Sequence, residues 1–263
     1  MNMHRTFVAS LISVGLMSGA AMAADLPMPE PVYKAPPPPV YNWTGCYIGG
    51  GGGYGMWGQD SYVNNAAGVQ ISGNTTNGGK GWFGQGQAGC DYQFTAPIFN
   101  VNAVIGAFGD YDFTNLRGTS SVPLGVGTET QSNAWSAGLR AGWLVNPRFL
   151  TYFDGGYTQA RFNQVNYSTY AFPAGPAGFS LAAQTYSGWF LGSGFEYALD
   201  ILPISGLFLK TEYRFSSYDT NNGINVPFLT TATGAPNGLT LNSVKYTQMI
   251  STELVWRFNW FGH

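Results

Sequence analysis

Apolar and polar residues alternate one by one along most of this chain. Successive residues of an extended strand face opposite sides, so a period of two marks strands with two different faces. Eight runs carry it: Trp43–Trp57, Gly81–Phe94, Val101–Phe113, Ala134–Val145, Phe149–Arg161, Thr185–Tyr197, Gly206–Phe215 and Lys245–Trp260. In the seventh, Leu209, Tyr213 and Phe215 oppose Lys210, Glu212 and Arg214. In the eighth, Leu254, Trp256 and Phe258 oppose Glu253 and Arg257. Asp110 and Asp112 oppose Tyr111 and Phe113 in the third run, and Arg140 opposes Trp135, Leu139 and Trp143 in the fourth. Asp154 opposes Phe153 and Tyr157 in the fifth, and Glu196 opposes Trp189, Leu191, Phe195 and Tyr197 in the sixth. In the second, Ala88, Cys90 and Tyr92 oppose Gln87, Gly89 and Asp91. Mid-strand charges thus fall on the face away from the aromatics. Phe108, Leu144, Tyr152, Phe190 and Phe208 depart from the rule and share the charged face.

The breaks between runs alternate in length. Gly58–Lys80, Thr114–Asn133, Phe162–Gln184 and Ser216–Val244 are long and rich in Gly, Asn, Ser and Thr, and read as loops; Thr95–Asn100, Asn146–Arg148 and Ala198–Ser205 are short. Long loops at one end and short turns at the other is the layout of an outer-membrane barrel. Composition points the same way. Charged residues are 9% of the chain, against about 25% in soluble domains. No apolar run after the N-terminal one reaches the ~18 residues of a membrane helix. A chain so poor in charge, without spanning helices, fits a closed barrel that satisfies its own backbone. The expected fold is all-β: an eight-stranded antiparallel transmembrane β-barrel with long extracellular loops and short periplasmic turns.

The first run contains five consecutive glycines, Gly49–Gly53, set among aromatics. A flexible linker would not carry the aromatics. Gly50, Gly52 and Gly55 fit a phosphate-loop spacing, but a glycine run matches it almost automatically and no helix follows. As a barrel strand, the run turns Cys46, Ile48, Gly50, Gly52, Tyr54 and Met56 to lipid and Tyr47, Gly49, Gly51 and Gly53 inward. The bore of an eight-stranded barrel is only wide enough for side chains to fill. Inward glycines leave room there for long charged side chains from other strands.

The N-terminus, Met1–Ala23, has a basic start, an apolar run and an Ala-Met-Ala end, and reads as a cleaved secretory signal. A membrane anchor is the alternative, disfavoured by the short run. Ala24–Asn42 holds seven of the fifteen prolines and reads as an extended periplasmic tether. The barrel would occupy residues 43–263.

At this level the chain resembles the small outer-membrane immunogenic barrel proteins of alphaproteobacteria, in the porin-family or OmpA-like group. The resemblance rests on "YNWTGCYIGGGGGYG", "GSGFEYA", "LKTEYRFSS" and "LVWRFNWF" and covers about residues 21 to 260. It implies an outer-membrane barrel surrounded by lipid and lipopolysaccharide. It also implies that the aromatic last strand, with Trp256, Phe258, Trp260 and Phe261, is read by the barrel-assembly machinery. Cys46 and Cys90 depart from the family, which usually carries an aromatic at the first position and often at the second. A peptidoglycan-binding domain after the barrel is not expected, so the resemblance does not imply anchoring to the cell wall.

Cys46 and Cys90 share the lipid-facing parity near the periplasmic ends of adjacent antiparallel strands. In an oxidising periplasm a disulfide would close the first hairpin; two free thiols packed as small apolar residues are the alternative. The two histidines, His4 and His263, lie in the signal and at the last position. That removes the base of a Ser-His-Asp enzyme and the usual zinc and haem ligands. Some family members are associated with haemin; this chain would have to use Tyr, Met or a surface groove. The expectation is no enzyme, no metal and no cofactor. Nucleic acid is not expected as a partner, because there is no basic patch, and the chain is expected to be a monomer.

The inward charges are Asp110, Asp112, Arg140, Asp154, Glu196, Lys210, Glu212, Arg214, Glu253 and Arg257. One reading is a paired network that plugs and rigidifies the bore. The other is the lining of a narrow, mildly cation-selective pore. The expected function is a structural and surface-interaction role in the envelope, with a narrow porin-like channel as the alternative. A soluble lipocalin-type barrel would need the inverse parity.

Overall fold

The structure, a computed structural model, describes residues 41–97, 101–199, 206–218 and 223–258. The signal, all but the last two residues of the tether, Trp260 and Phe261 lie outside the described residues. Eleven strands are present among the described residues: β1 (Gly45–Asn64), β2 (Thr75–Ala96), β3 (Val101–Val122), β4 (Gly125–Asn146), β5 (Phe149–Phe162), β6 (Val165–Ser168), β7 (Pro176–Leu181), β8 (Gln184–Ala198), β9 (Leu207–Tyr218), β10 (Ile224–Thr230) and β11 (Pro236–Phe258).

Eight of them form an antiparallel ring in the order β1-β2-β3-β4-β5-β8-β9-β11, closed by β11 against β1. These are the eight runs of the sequence pattern. The closing register runs from Cys46 opposite Phe258 to Asn64 opposite Thr240. Closure leaves no unpaired edge, which a membrane demands. The outer face presents Ile48, Ile105, Leu139, Phe153, Leu191, Ile250 and Leu254, each about half exposed or more. This is the apolar band that lipid covers.

Several strands are far longer than a bilayer requires. β2, β3 and β4 have 22 residues each, whereas about 9–11 span the hydrocarbon. Parts of all four segments that read as loops are therefore strand. Above the ends of β5, β8 and β9, the shorter β6, β7 and β10 take their places. β4 pairs with β6, β6 with β7, β7 with β10 and β10 with β11. The ring thus continues upward as a second eight-membered set, β1-β2-β3-β4-β6-β7-β10-β11. The physical reason lies in the inward positions. Val165 and Tyr167, Val226 and Phe228, and Leu241 are buried at alternate places within otherwise polar stretches. Gly, Asn, Ser and Thr suit turns in isolation. A closed neighbour on each side satisfies their backbone instead, and every second side chain joins a core.

Cys46 and Cys90 stand directly opposite each other on β1 and β2 and are joined, with the sulfurs 2.05 Å apart. The inward glycines of β1 face crowded space. A Cβ on Gly51 would lie 2.1 Å from the Thr252 carbonyl oxygen and 2.9 Å from Glu253 Cγ; on Gly50, facing out, the nearest atom is 3.7 Å away.

Candidate functional site

The bore is the place where the chain concentrates its chemistry. All ten charged residues expected inside are buried there. They form levels stacked along the axis, because each strand contributes every second residue inward.

At the short-turn end, four charges from four strands make a closed set. Arg257 on β11 forks onto Glu196 of β8, Nε to Oε1 at 3.0 Å and Nη2 to Oε2 at 2.8 Å, and reaches Asp91 of β2 at 2.6 Å. Arg140 on β4 donates through Nε to Asp91 at 2.8 Å, and through Nη1 to Glu196 at 3.3 Å. A second Arg140 nitrogen also contacts Asp91. Two positive and two negative charges therefore compensate one another. The Arg140 guanidinium lies 4.6 Å from the Tyr47 ring centre and 5.3 Å from that of Tyr152. Beneath, Trp43 is fully buried, its ring centre 4.8 Å from that of Phe208 and its Nε1 donating to the Pro147 carbonyl. The guanidinium of Arg257 sits 4.8 Å from the Trp43 ring.

The middle level is built on Lys210 and Arg214 of β9. Lys210 Nζ reaches Glu212 at 2.8 Å, Gln87 Oε1 at 2.9 Å and Glu253 at 3.5 Å, while Gln87 donates to Glu253 at 2.6 Å. Arg214 binds Glu212 and Asp110, each at 2.8 Å, and its guanidinium lies 4.5 Å from the Phe190 ring centre. Tyr152 donates to Glu212 at 3.0 Å. Asp154 lies beside Glu212 and Arg214. Asp112 Oδ1 has no hydrogen-bond partner among the described residues, although the side chain points inward. A space of about 10 Å³ bordered by Asp112, Glu212, Arg214 and Ser251 is the size of a single water site.

The upper half holds the larger apolar cluster. Phe83, Leu116, Phe162, Tyr186, Met249 and Trp57 pack across the axis, continued by Val63, Val122, Tyr167, Leu181, Phe228 and Leu241. One cation enters this core: Lys245 Nζ donates to Glu129 at 2.7 Å and also contacts Gln59. The rings of Phe162, Trp57 and Tyr186 surround it at 4.2, 5.0 and 5.1 Å. Higher still, the buried Tyr167 hydroxyl meets Ser120 Oγ at 2.9 Å, and burial pushes that phenol up from its ordinary value.

Phe108, Tyr152, Phe190 and Phe208, the apolar residues that broke parity, form a second apolar cluster among the lower charges, with Leu144 packed against it. Among the described residues, Asp91, Glu129 and Lys245 complete the buried charges and were absent from the set read in the sequence. Asp91 already stood on the inward face of its run. Glu129 and Lys245 needed the alternation to be continued past the expected membrane edge. With them, eight buried carboxylates (Asp91, Asp110, Asp112, Glu129, Asp154, Glu196, Glu212, Glu253) stand against five cations (Arg140, Lys210, Arg214, Lys245, Arg257). Trp256 lies on the lipid face with its ring 5.5 Å from that of Phe258.

A family model for the outer membrane protein β-barrel domain matches residues 9–258. The chain belongs to this family. Residence in the outer membrane follows. Among relatives of this barrel family, the 31 kDa outer-membrane immunogenic proteins of Brucella melitensis biotype 1 and Brucella suis biovar 1 are each 29% identical over 237 residues, 85% of this chain and 91% of theirs. Among solved structures, OprG from Pseudomonas aeruginosa aligns with a TM-score of 0.46 at 12% identity, over 82% of this chain and 98% of that one. Neisserial surface protein A aligns with a TM-score of 0.37 at 13% identity, with the same coverage.

Proposed function

We propose that this outer-membrane barrel is a closed, non-catalytic scaffold, a monomer set in lipid and lipopolysaccharide, whose role is structural and whose upper end meets partners outside the cell. The observation that carries this reading is the filled axis. A path along the bore would have to pass the Trp43 floor, two levels of ion-paired side chains and the aromatic core around Lys245. Such paired charges are costly to separate, because each partner left behind is buried alone. The engaged carboxylates are also poor candidates for acid–base chemistry, being held by arginine and lysine.

One observation favours the alternative of a narrow cation-selective channel: the bore holds eight acids against five bases. The test is conductance of the purified, folded barrel in a planar bilayer. The expected result is a silent membrane, with folding verified by a heat-dependent gel shift. Reproducible steps whose selectivity changes in Glu196→Gln or Arg140→Met would overturn the closed reading.

A further inference from the structure

Four long stretches toward the outer end of the barrel are free of charged residues. The stretches 61–79, 118–128, 162–184 and 220–244 hold neither Asp, Glu, Lys nor Arg. Yet Val69, Ile71, Leu124, Tyr170 and Phe172 are exposed there, Phe172 completely and the others by more than half. These positions stand beyond the lipid band, so water faces them. Clustered apolar exposure of this kind marks a binding surface.

In its midst is a cleft of about 140 Å³ where the first, second and fourth loops meet β7. Its walls are Val63, Ile71, Val122, Leu124, Phe228 and Leu239. Val63, Val122 and Phe228 belong to the packed upper core, so the floor is rigid. One polar group stands at the mouth: Asn237, whose Oδ1 accepts the Leu239 backbone N–H at 3.0 Å. Ser72, the other polar neighbour, is already used, accepting from the Val63 N–H at 2.8 Å and donating to the Gly73 carbonyl. That leaves the Asn237 amide NH₂ to meet an occupant.

We infer that this cleft binds one small uncharged apolar molecule, a single aromatic ring or short alkyl chain bearing at most a neutral hydroxyl. Volume sets the size: an apolar cavity of roughly 150 Å³ takes one benzene ring. Charge sets the class. An anion entering the cleft would find no cation in any of the four uncharged stretches, and would lose its water without compensation. The inference goes beyond the closed-barrel proposal and is independent of it, since a conducting barrel would carry the same cleft.

The experiment uses the full mature chain folded in lipid nanodiscs, with isotope-labelled Ile, Leu and Val methyl groups, titrated with benzyl alcohol and with benzoate. The expected result is saturable shifts of the Ile71, Leu124 and Leu239 methyls at about millimolar benzyl alcohol, the range open to so small a ligand. Benzoate should bind at least about tenfold more weakly. Ile71→Glu and Leu124→Glu should each weaken benzyl alcohol binding about tenfold or more; both sites are exposed, and the gel shift verifies folding. Three results would overturn the inference. They are no saturable shift, equal binding of benzoate, or shifts confined to the lipid-facing methyls of Ile48, Ile250 and Leu254, which would mean partition into the bilayer alone.

Discussion

Replacing Arg257 by methionine tests whether the lower charges are a dry, mutually compensated set. Methionine keeps most of the stem that packs beside Trp43 and Phe208, whose rings lie 4.8 and 5.2 Å from the guanidinium. The loss therefore reports charge and hydrogen bonds more than volume. In the native set, Asp91 and Glu196 are balanced by Arg140 and Arg257. Without Arg257, two carboxylates share Arg140, which meets Glu196 only at 3.3 Å. Removing one partner of a buried pair costs about 3–5 kcal/mol, because the other is left uncompensated. A solvated pair lining a wet pore would cost less than about 1 kcal/mol. Adding Glu196→Gln restores the balance, leaving Asp91 with Arg140. The double variant should accordingly regain about 1–3 kcal/mol over Arg257→Met instead of losing more. The assay is urea unfolding of the full chain in lipid vesicles, followed by tryptophan fluorescence and the gel shift. A small effect of Arg257→Met, with an additive double variant, would refute the compensated set and return the wet-pore reading.

Gly51→Val should destabilise the same barrel by about 1–3 kcal/mol or more through overpacking, while Gly50→Val, on the open lipid face, should unfold near the native urea midpoint. Similar effects at the two positions would contradict the assigned parity of β1. Cys46 and Cys90 should show no reactive thiol when the unreduced protein is denatured and labelled. Their joint replacement by alanine should lower stability by up to about 4 kcal/mol on a chain-entropy account of the loop, whose ends are 44 residues apart; two labelled thiols would remove the bridge.

The ring of eight strands was legible because it is written at a period of two, the shortest range a sequence can express. Glu196, Arg140 and Asp154 each sit one residue from an aromatic or apolar residue of opposite facing, so neighbours alone assign them to the bore. Their partners were not legible. Arg140 meets Asp91 across 49 positions and Arg257 meets it across 166; such pairs depend on where non-adjacent strands face one another through the bore. The outer strands were missed for a different reason. β6, β7 and β10 are 4, 6 and 7 residues long and are set among turn-forming residues. Their stability comes from completing a ring already begun by longer neighbours, which local propensity does not report.

The cross-bore contacts also bear on why a barrel closed in the way proposed should carry charge inside. Ladder hydrogen bonds join each strand only to its neighbours, and a glycine-rich strand such as β1 contributes little preference for its own register. The charges join strands that do not touch. Arg140 ties β4 to β2 and β8, Arg257 ties β11 to the same two, and Arg214 ties β9 to β3. A barrel with one hairpin more or less, or with a strand slipped by two residues, keeps its parity and its lipid face intact. It would nevertheless separate these partners and bury them alone. The interior charges thus penalise the alternatives that the apolar exterior tolerates. On this account, variants that neutralise Arg140 and Asp91 together should keep much of their stability but lose uniqueness. They should give several folded bands or a broadened unfolding transition where the native chain gives one; a single sharp transition in the doubly neutralised protein would show that the ladder alone specifies the ring.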